Sequence, residues 1–222
     1  MDQHVQQALV ASLQAYTEAT AYQAHDLQVR LTKVFEGDAP YLEKVSDLDA
    51  VFDDQPQLEE LREIAFDLLL MNFFAADVEK LENDYLESEE WEMIENDTID
   101  RGTELLNLLL YFRECADEAI EPQLDDYLKE FLLVDEDEFQ DEYRIYEPVI
   151  ANQLLLDSSY VEIAKVASKI PADQELSELF YPIMSFFYEQ QPTASDMEEY
   201  AHSSVNPAFD VAVYTLLVAY NR

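Results

Sequence analysis

Glycine occupies only two of 222 positions, Gly37 and Gly102. Average usage is about 7%, and sheet architectures draw on glycine wherever a turn needs a positive φ. A chain this poor in glycine must join its elements through turns that ordinary residues can adopt, which favours helices. The same scarcity removes the phosphate-cradling loops, since neither GxGxxG nor GxxxxGK[ST] can be written, and the GxSxG nucleophile turn fails with them.

The apolar residues recur with the helical period along most of the chain. The spacing predicts a first helix over residues 4–35, with Val5, Ala8, Leu9, Leu13 and Tyr16 on one face, ended by Gly37 and Pro40. A second runs from Gln57 to Leu86, its stripe including Leu58, Leu61, Ile64, Ala65, Leu68 and Leu69, with Glu59, Glu60, Glu63 and Asp67 opposite. A short acidic helix over 87–96 carries Trp91. The segment 98–118 is apolar nearly all round from Leu105 to Phe112, which marks it as central. Further helices are expected over 122–134, 136–146, 148–156, 159–169, 173–190, 195–202 and 207–220. Ser195-Asp-Met-Glu198 reads as a capping box, and Asn206-Pro207 as N-cap followed by Pro at the first helical position.

No segment alternates convincingly as a strand. The expectation is an all-α single domain over residues 1–222, with about nine to eleven helices packed as a bundle or a short α-α array. A leucine triplet at Leu68, repeated at Leu108 and Leu154, gives a weak echo at offsets of 40 and 46 residues. Helical-hairpin repeats of the HEAT or armadillo kind have periods of about 40–47.

Aromatic residues are plentiful, with 14 Tyr, 12 Phe and a single Trp, so the chain is folded rather than disordered despite its charge. That charge is formally −38, from 50 acidic and 12 basic residues. Its distribution is uneven: residues 36–147 hold 37 acids and seven bases, a net −30, whereas residues 1–35 carry −1 and residues 148–222 carry −7. Two runs are densest, Glu87-Ser-Glu-Glu-Trp-Glu92 and Asp135-Glu-Asp-Glu-Phe-Gln-Asp-Glu142, and each encloses an aromatic residue.

Several chemistries lack their residues. Cys115 is the one cysteine, set in the apolar segment 108–115, so neither an intrachain disulfide nor a thiolate metal cluster can form. It reads as a buried structural thiol. A di-iron carboxylate bundle needs two Glu-x-x-His pairs, and only Glu199-Tyr-Ala-His202 is present, leaving His202 a more natural place at a helix C-terminus. Reading an EF-hand loop from Asp135 puts Phe139 at position five, Gln140 where Gly is required and Tyr146 where Glu is required. No cofactor is implied. The basic residues form no cluster, which disfavours direct contact with nucleic acid or anionic lipid. With no basic leader and no apolar run of 18 residues, the expected location is cytoplasmic.

The function expected is therefore binding rather than catalysis. A field of one sign steers a basic protein surface or tail onto the chain, and the candidate contact residues are Glu87, Glu89, Glu90, Trp91, Glu92, Asp135, Asp137, Asp141 and Glu142. Three alternatives stand beside this reading: a mimic of DNA that occupies a DNA-binding protein, a chain adapted to high salt, and a helical enzyme with no short motif.

Overall fold

The computed structural model describes residues 1–22, 25–76, 83–135, 138–139 and 144–222, with the backbone alone given for residues 25, 76, 83, 84, 130–135, 138 and 139. The architecture is all-helical. In chain order the helices are α1 (Gln3–Thr20), α2 (His25–Glu36), α3 (Tyr41–Asp53), a 3-10 turn (Pro56–Leu61), α4 (Arg62–Ala76), α5 (Asn83–Leu86), α6 (Glu89–Asp97), α7 (Leu105–Glu118), α8 (Leu124–Leu132) and α9 (Glu147–Ala151). They continue with a second 3-10 turn (Gln153–Asp157), α10 (Tyr160–Ala167), α11 (Phe180–Tyr188), α12 (Ala194–Ser203) and α13 (Pro207–Tyr220). Among the described residues one short antiparallel ribbon interrupts them, β1 (Leu133–Asp135) with β2 (Glu138–Phe139).

The first and last helices close the fold. The α1 stripe of Val5, Ala8, Leu9, Leu13 and Tyr16 is buried, and it packs along α13, which buries Phe209, Val213, Leu216, Leu217 and Tyr220. His4 Nδ1 donates to the Tyr220 carbonyl at 2.8 Å, and Asp2 caps α1 by accepting from the backbone N–H groups of His4 and Val5. Asn72 of α4 ties three elements together, accepting from Asp2 N at 2.9 Å and donating to Phe35 O at 3.3 Å. A chain whose two ends pack side by side is a closed bundle, not an open array. The leucine triplets bear this out. Those at 68 and 108 lie in α4 and α7, whereas the third lies in a 3-10 turn with Leu154 86% exposed.

Several boundaries differ from those the periodicity suggests. The predicted helix over 4–35 is two helices, with Ala21 in the left-handed region at φ 55° ending α1. Straight, it would be about 48 Å long, and the single stripe it would present divides between two partners, α13 for α1 and α3 for α2. Pro182 lies within the first turn of α11, where its missing N–H is harmless. It would break a helix begun at residue 173, so residues 171–179 form turns instead. Residues 136–146 do not form the expected helix where they are described: Glu138–Phe139 is strand and Arg144–Tyr146 is loop and turn. A helix there would stack like charges at i, i+4 with no cation between them. The capping box of α12 is Thr193 with Asp196, two residues earlier than Ser195 with Glu198. Asn206 does stand at the N-cap of α13, but its amide donates to Glu60 at 2.8 Å rather than to the helix.

The largest departure concerns which helix is central. From Ile64 to Asn72 every residue of α4 is buried, Asp67 included at 0% exposure. In the periodic pattern Asp67 belongs to the charged face of its helix. It is buried because the segment 98–104, expected as the start of a helix, runs as a loop across α4 and satisfies it: Thr103 donates its N–H to Asp67 Oδ1 at 3.0 Å and its hydroxyl to Oδ2 at 2.5 Å. The neighbouring Gly102 N–H donates to Glu63 at 2.7 Å. Arg101 spans the loop, α3 and α4, with two bonds to Asp49 at 3.0 Å and two to Glu63 at 3.0 and 3.1 Å, its guanidinium 4.8 Å from the Phe66 ring centroid. Arg62 binds Asp49 from the other side, together with Asp53 and Glu59.

Gly102 makes this crossing possible. Its φ is +84°, and a Cβ placed there would lie 2.6 Å from Asp67 Oδ1 and 3.3 Å from the Phe66 ring. Gly102→Ala is expected to destabilise by at least about 1–3 kcal/mol from the backbone alone. At about 2–4 °C per kcal/mol for a chain of this length, thermal melting should show a clear fall in midpoint. Gly37→Ala, where φ is ordinary, should move it less.

Burial holds the Asp67 carboxyl well above its ordinary value, and Glu63 and Glu104 nearby add to the shift, against the opposing bonds from Thr103. A carboxyl raised in this way binds its proton more tightly folded than unfolded. Its contribution is complete below the ordinary 3.8 and is lost as pH rises through the folded value. Melting midpoints measured across that range should therefore fall as pH rises. In Asp67→Asn the fall should be shallower, and an unchanged slope would place the proton elsewhere.

Candidate interaction surface

The first acidic run opens α6, and its local structure follows from capping. Ser88 is the N-cap, its hydroxyl accepting from Trp91 N–H at 3.1 Å. Glu89, Glu90 and Glu92 occupy the first turn, where the helix dipole favours negative charge. Only one narrow edge of the helix faces inward. Ile94 is buried, and Trp91 is half-buried with its ring centroid 5.3 Å from Phe74 and 6.2 Å from Tyr85.

Everything else on α6 points to solvent. Glu87, Glu89, Glu90, Glu92, Glu95 and Asp97 are exposed, and so are Met93 at 61% and Ile99 at 74%. The ion pairs among the described residues engage Arg30, Arg62, Arg101, Lys129, Arg144 and Lys165, each with acids outside α6. The result is an acidic helix surface with Met93 exposed on it and Ile99 exposed just after it. One side of it borders a cleft of about 300 Å³ against the α2–α3 turn, lined by Asp38, Tyr41, Lys44, Asn72, Phe73 and Glu90. Lys44 is occupied there in holding the Phe35 carbonyl at 3.2 Å.

Of the residues expected at the site, Glu89, Glu90, Trp91 and Glu92 therefore come together on α6, and Glu87 stands just before its N-cap. Trp91 serves that surface from beneath, fixing α6 to α4. Asp135 lies in β1, its backbone paired with Glu138. Asp137, Asp141 and Glu142 lie outside the described residues. Met93 and Ile99 were not singled out by the sequence, in which two apolar residues near an acidic helix look like part of a core stripe. Glu95, Asp97 and Asp100 extend the acidic surface beyond the run itself.

The remaining candidates for chemistry sit apart. Cys115 is buried at 1% exposure in α7, and His202 is exposed in the last turn of α12. Among the described residues, no group of three or more His, Cys, Asp and Glu side chains is placed to hold a metal ion. Among them, too, no helix is long and apolar enough to cross a membrane. Comparison with protein-family models, with curated proteins and with solved structures finds no match for the chain.

Because a single hydroxyl caps α6, Ser88→Ala should cost about 1 kcal/mol. Trp91 is the sole tryptophan, so its emission reports this helix directly. The variant is expected to show a lower melting midpoint and a red-shifted Trp91 band, as the indole loses its seat on Phe74.

Proposed function

We propose that the chain is a non-catalytic interaction protein whose α6 surface receives a basic protein surface or tail. One observation carries this reading: six exposed carboxylates in and beside one helix, none of them in the ion pairs seen among the described residues, accompany exposed Met93 in that helix and exposed Ile99 just beyond its end. A merely solvated face needs no large apolar residues. An interface has apolar contact area within a charged rim, and the rim sets encounter rate and orientation. The nearest arginine in sequence, Arg101, is held by Asp49 and Glu63, so it does not neutralise the surface. Carboxylates and exposed methylenes together suit Lys and Arg side chains, whose stems are apolar and whose heads are charged. The same field repels phosphate and anionic lipid.

The test uses a lysine- and arginine-rich peptide as probe and the quadruple variant Glu87→Gln, Glu89→Gln, Glu90→Gln, Glu92→Gln. Stopped-flow association should slow by about tenfold or more at low salt, with a smaller change in dissociation. The wild-type rate should fall steeply as salt rises. A matched variant, Asp157→Asn, Asp173→Asn, Glu175→Gln and Glu198→Gln, removes the same charge from exposed positions elsewhere. Equal slowing in the two would mean that net charge alone attracts the probe, and the α6 reading would fail.

A further inference from the structure

A second concavity lies far along the chain from α6, between α10, the turns at 170–178 and the start of α13. It has a volume of about 260 Å³ and is lined by Ala164, Ala167, Ile170, Tyr181, Phe209 and Asp210, with Glu178 and Asn206 also at its wall. Its character is mixed in a specific way. Alanine, isoleucine and aromatic rings share the walls with the polar Ser168, Ser177, Glu178 and Asn206, and the Asp210 carboxylate lies among them at only 6% residue exposure. No Lys, Arg or His lines the space. The side-chain hydrogen bond Asp210 accepts comes from the neutral Ser204 hydroxyl. Glu178, on the wall, and Glu60, whose carboxylate receives the Asn206 amide at 2.8 Å, add negative charge nearby.

We propose that this pocket binds an organic cation, an alkylammonium or alkylguanidinium group, with its head on Asp210 and its stem against Ala164, Ala167 and Phe209. A buried carboxylate with no counter-charge is costly in apolar surroundings, and the cost is visible in its titration: burial, reinforced by Glu178 and Glu60, pushes Asp210 up to about 6. A cation entering the pocket removes that cost. Tyr181 contributes an aromatic wall, one face of its ring already covered by Tyr200 at a centroid distance of 4.5 Å; an aromatic ring beside a carboxylate favours a cationic head. A divalent metal is a poor fit, because it requires six or more oxygen ligands and no group of three or more His, Cys, Asp and Glu side chains among the described residues is placed to hold one. The volume lies just under the range of about 300 Å³ and upward that drug-sized ligands fill, which suits a short aliphatic amine or a single basic side chain. The inference stands independently of the α6 surface.

Calorimetric titration at physiological ionic strength, with agmatine and butylamine as free cations and butanol as the neutral isostere, tests it. Both cations should bind and raise the melting midpoint, and butanol should not. Asp210→Asn keeps the Ser204 bond and removes the charge, and it should weaken agmatine binding by about tenfold or more, equivalent to about 1.4 kcal/mol. Ala167→Phe fills the cavity from a half-buried position and should abolish binding while the chain still melts cooperatively. One lost charge in 38 cannot alter non-specific attraction to that extent, so the Asp210 variant separates a site from the general field. A short lysine peptide, against the same peptide with norleucine, distinguishes the source. Binding of the lysine form in competition with agmatine makes the occupant a side chain, and agmatine binding alone makes it a free amine. Absence of cation binding, or binding that survives Ala167→Phe, overturns the proposal.

Discussion

A single acidic residue in the middle of α4, which is buried from Ile64 to Asn72, sets the terms for this fold. Asp67 lies at 0% exposure in α4, and a carboxyl in such a place must be hydrogen-bonded or neutralised. Both requirements bring the 98–104 loop down across the helix. Thr103 supplies the hydrogen bonds, Gly102 supplies the close approach, and Arg101 supplies the charge that lets Asp49 and Glu63 lie near by. Partly exposed ion pairs of this kind add little net stability. What they impose is uniqueness. With Arg101 in place, α3, α4 and the loop before α7 have one mutual arrangement that leaves no carboxylate stranded.

The remainder of the bundle is arranged so that a chain of −38 can still close. The α1–α13 pair buries apolar surface from the two ends of the sequence, the parts that carry little charge. In the C-terminal part a lattice of tyrosines does the joining: Tyr181 donates to Tyr200 O, Tyr200 donates to Asp210 O, and Tyr160 and Tyr214 share a hydrogen bond at 3.0 Å. These phenols give neutral polar links between α10, α11, α12 and α13, all of them pushed to higher pKa by burial and so un-ionised throughout the physiological range. Links made by neutral groups do not add to the repulsion that the acidic middle already exerts.

The two proposed sites follow from the same economy of cations. Twelve basic residues cannot serve 50 acids, and the arginines at the heart of the fold are spent on Asp49, Glu63 and their neighbours. Helix α6 is left with its carboxylates facing water beside Met93 and Ile99. Asp210 is left with neutral donors, the Ser204 hydroxyl and the Asn206 N–H. Under both proposals an external cation, a basic surface at α6 or a small amine at Asp210, would complete what the chain does not supply internally.

The helical class, the helices α10, α12 and α13 to within a few residues, and the acidic character of α6 were legible in the sequence, because each depends on local spacing, composition and capping. Cys115 was legible as a buried thiol for the same reason. Other features depend on contacts between residues far apart in sequence, which no local pattern records. Asp67 has the helical phase of a surface residue and becomes the core's polar centre only when Thr103 reaches it, 36 residues on. Gly102 looks like one of two incidental glycines until the loop must pass within 3 Å of that carboxylate. Likewise Asp210 sits in an ordinary first turn, and the pocket around it exists only because α10 and the turns at 170–178 pack against α13. Periodicity and charge count thus determined what this chain is made of, helices with an acidic surface. Tertiary packing decided which carboxylates are buried, which are paired and which face solvent, because burial and pairing are properties of neighbours in space.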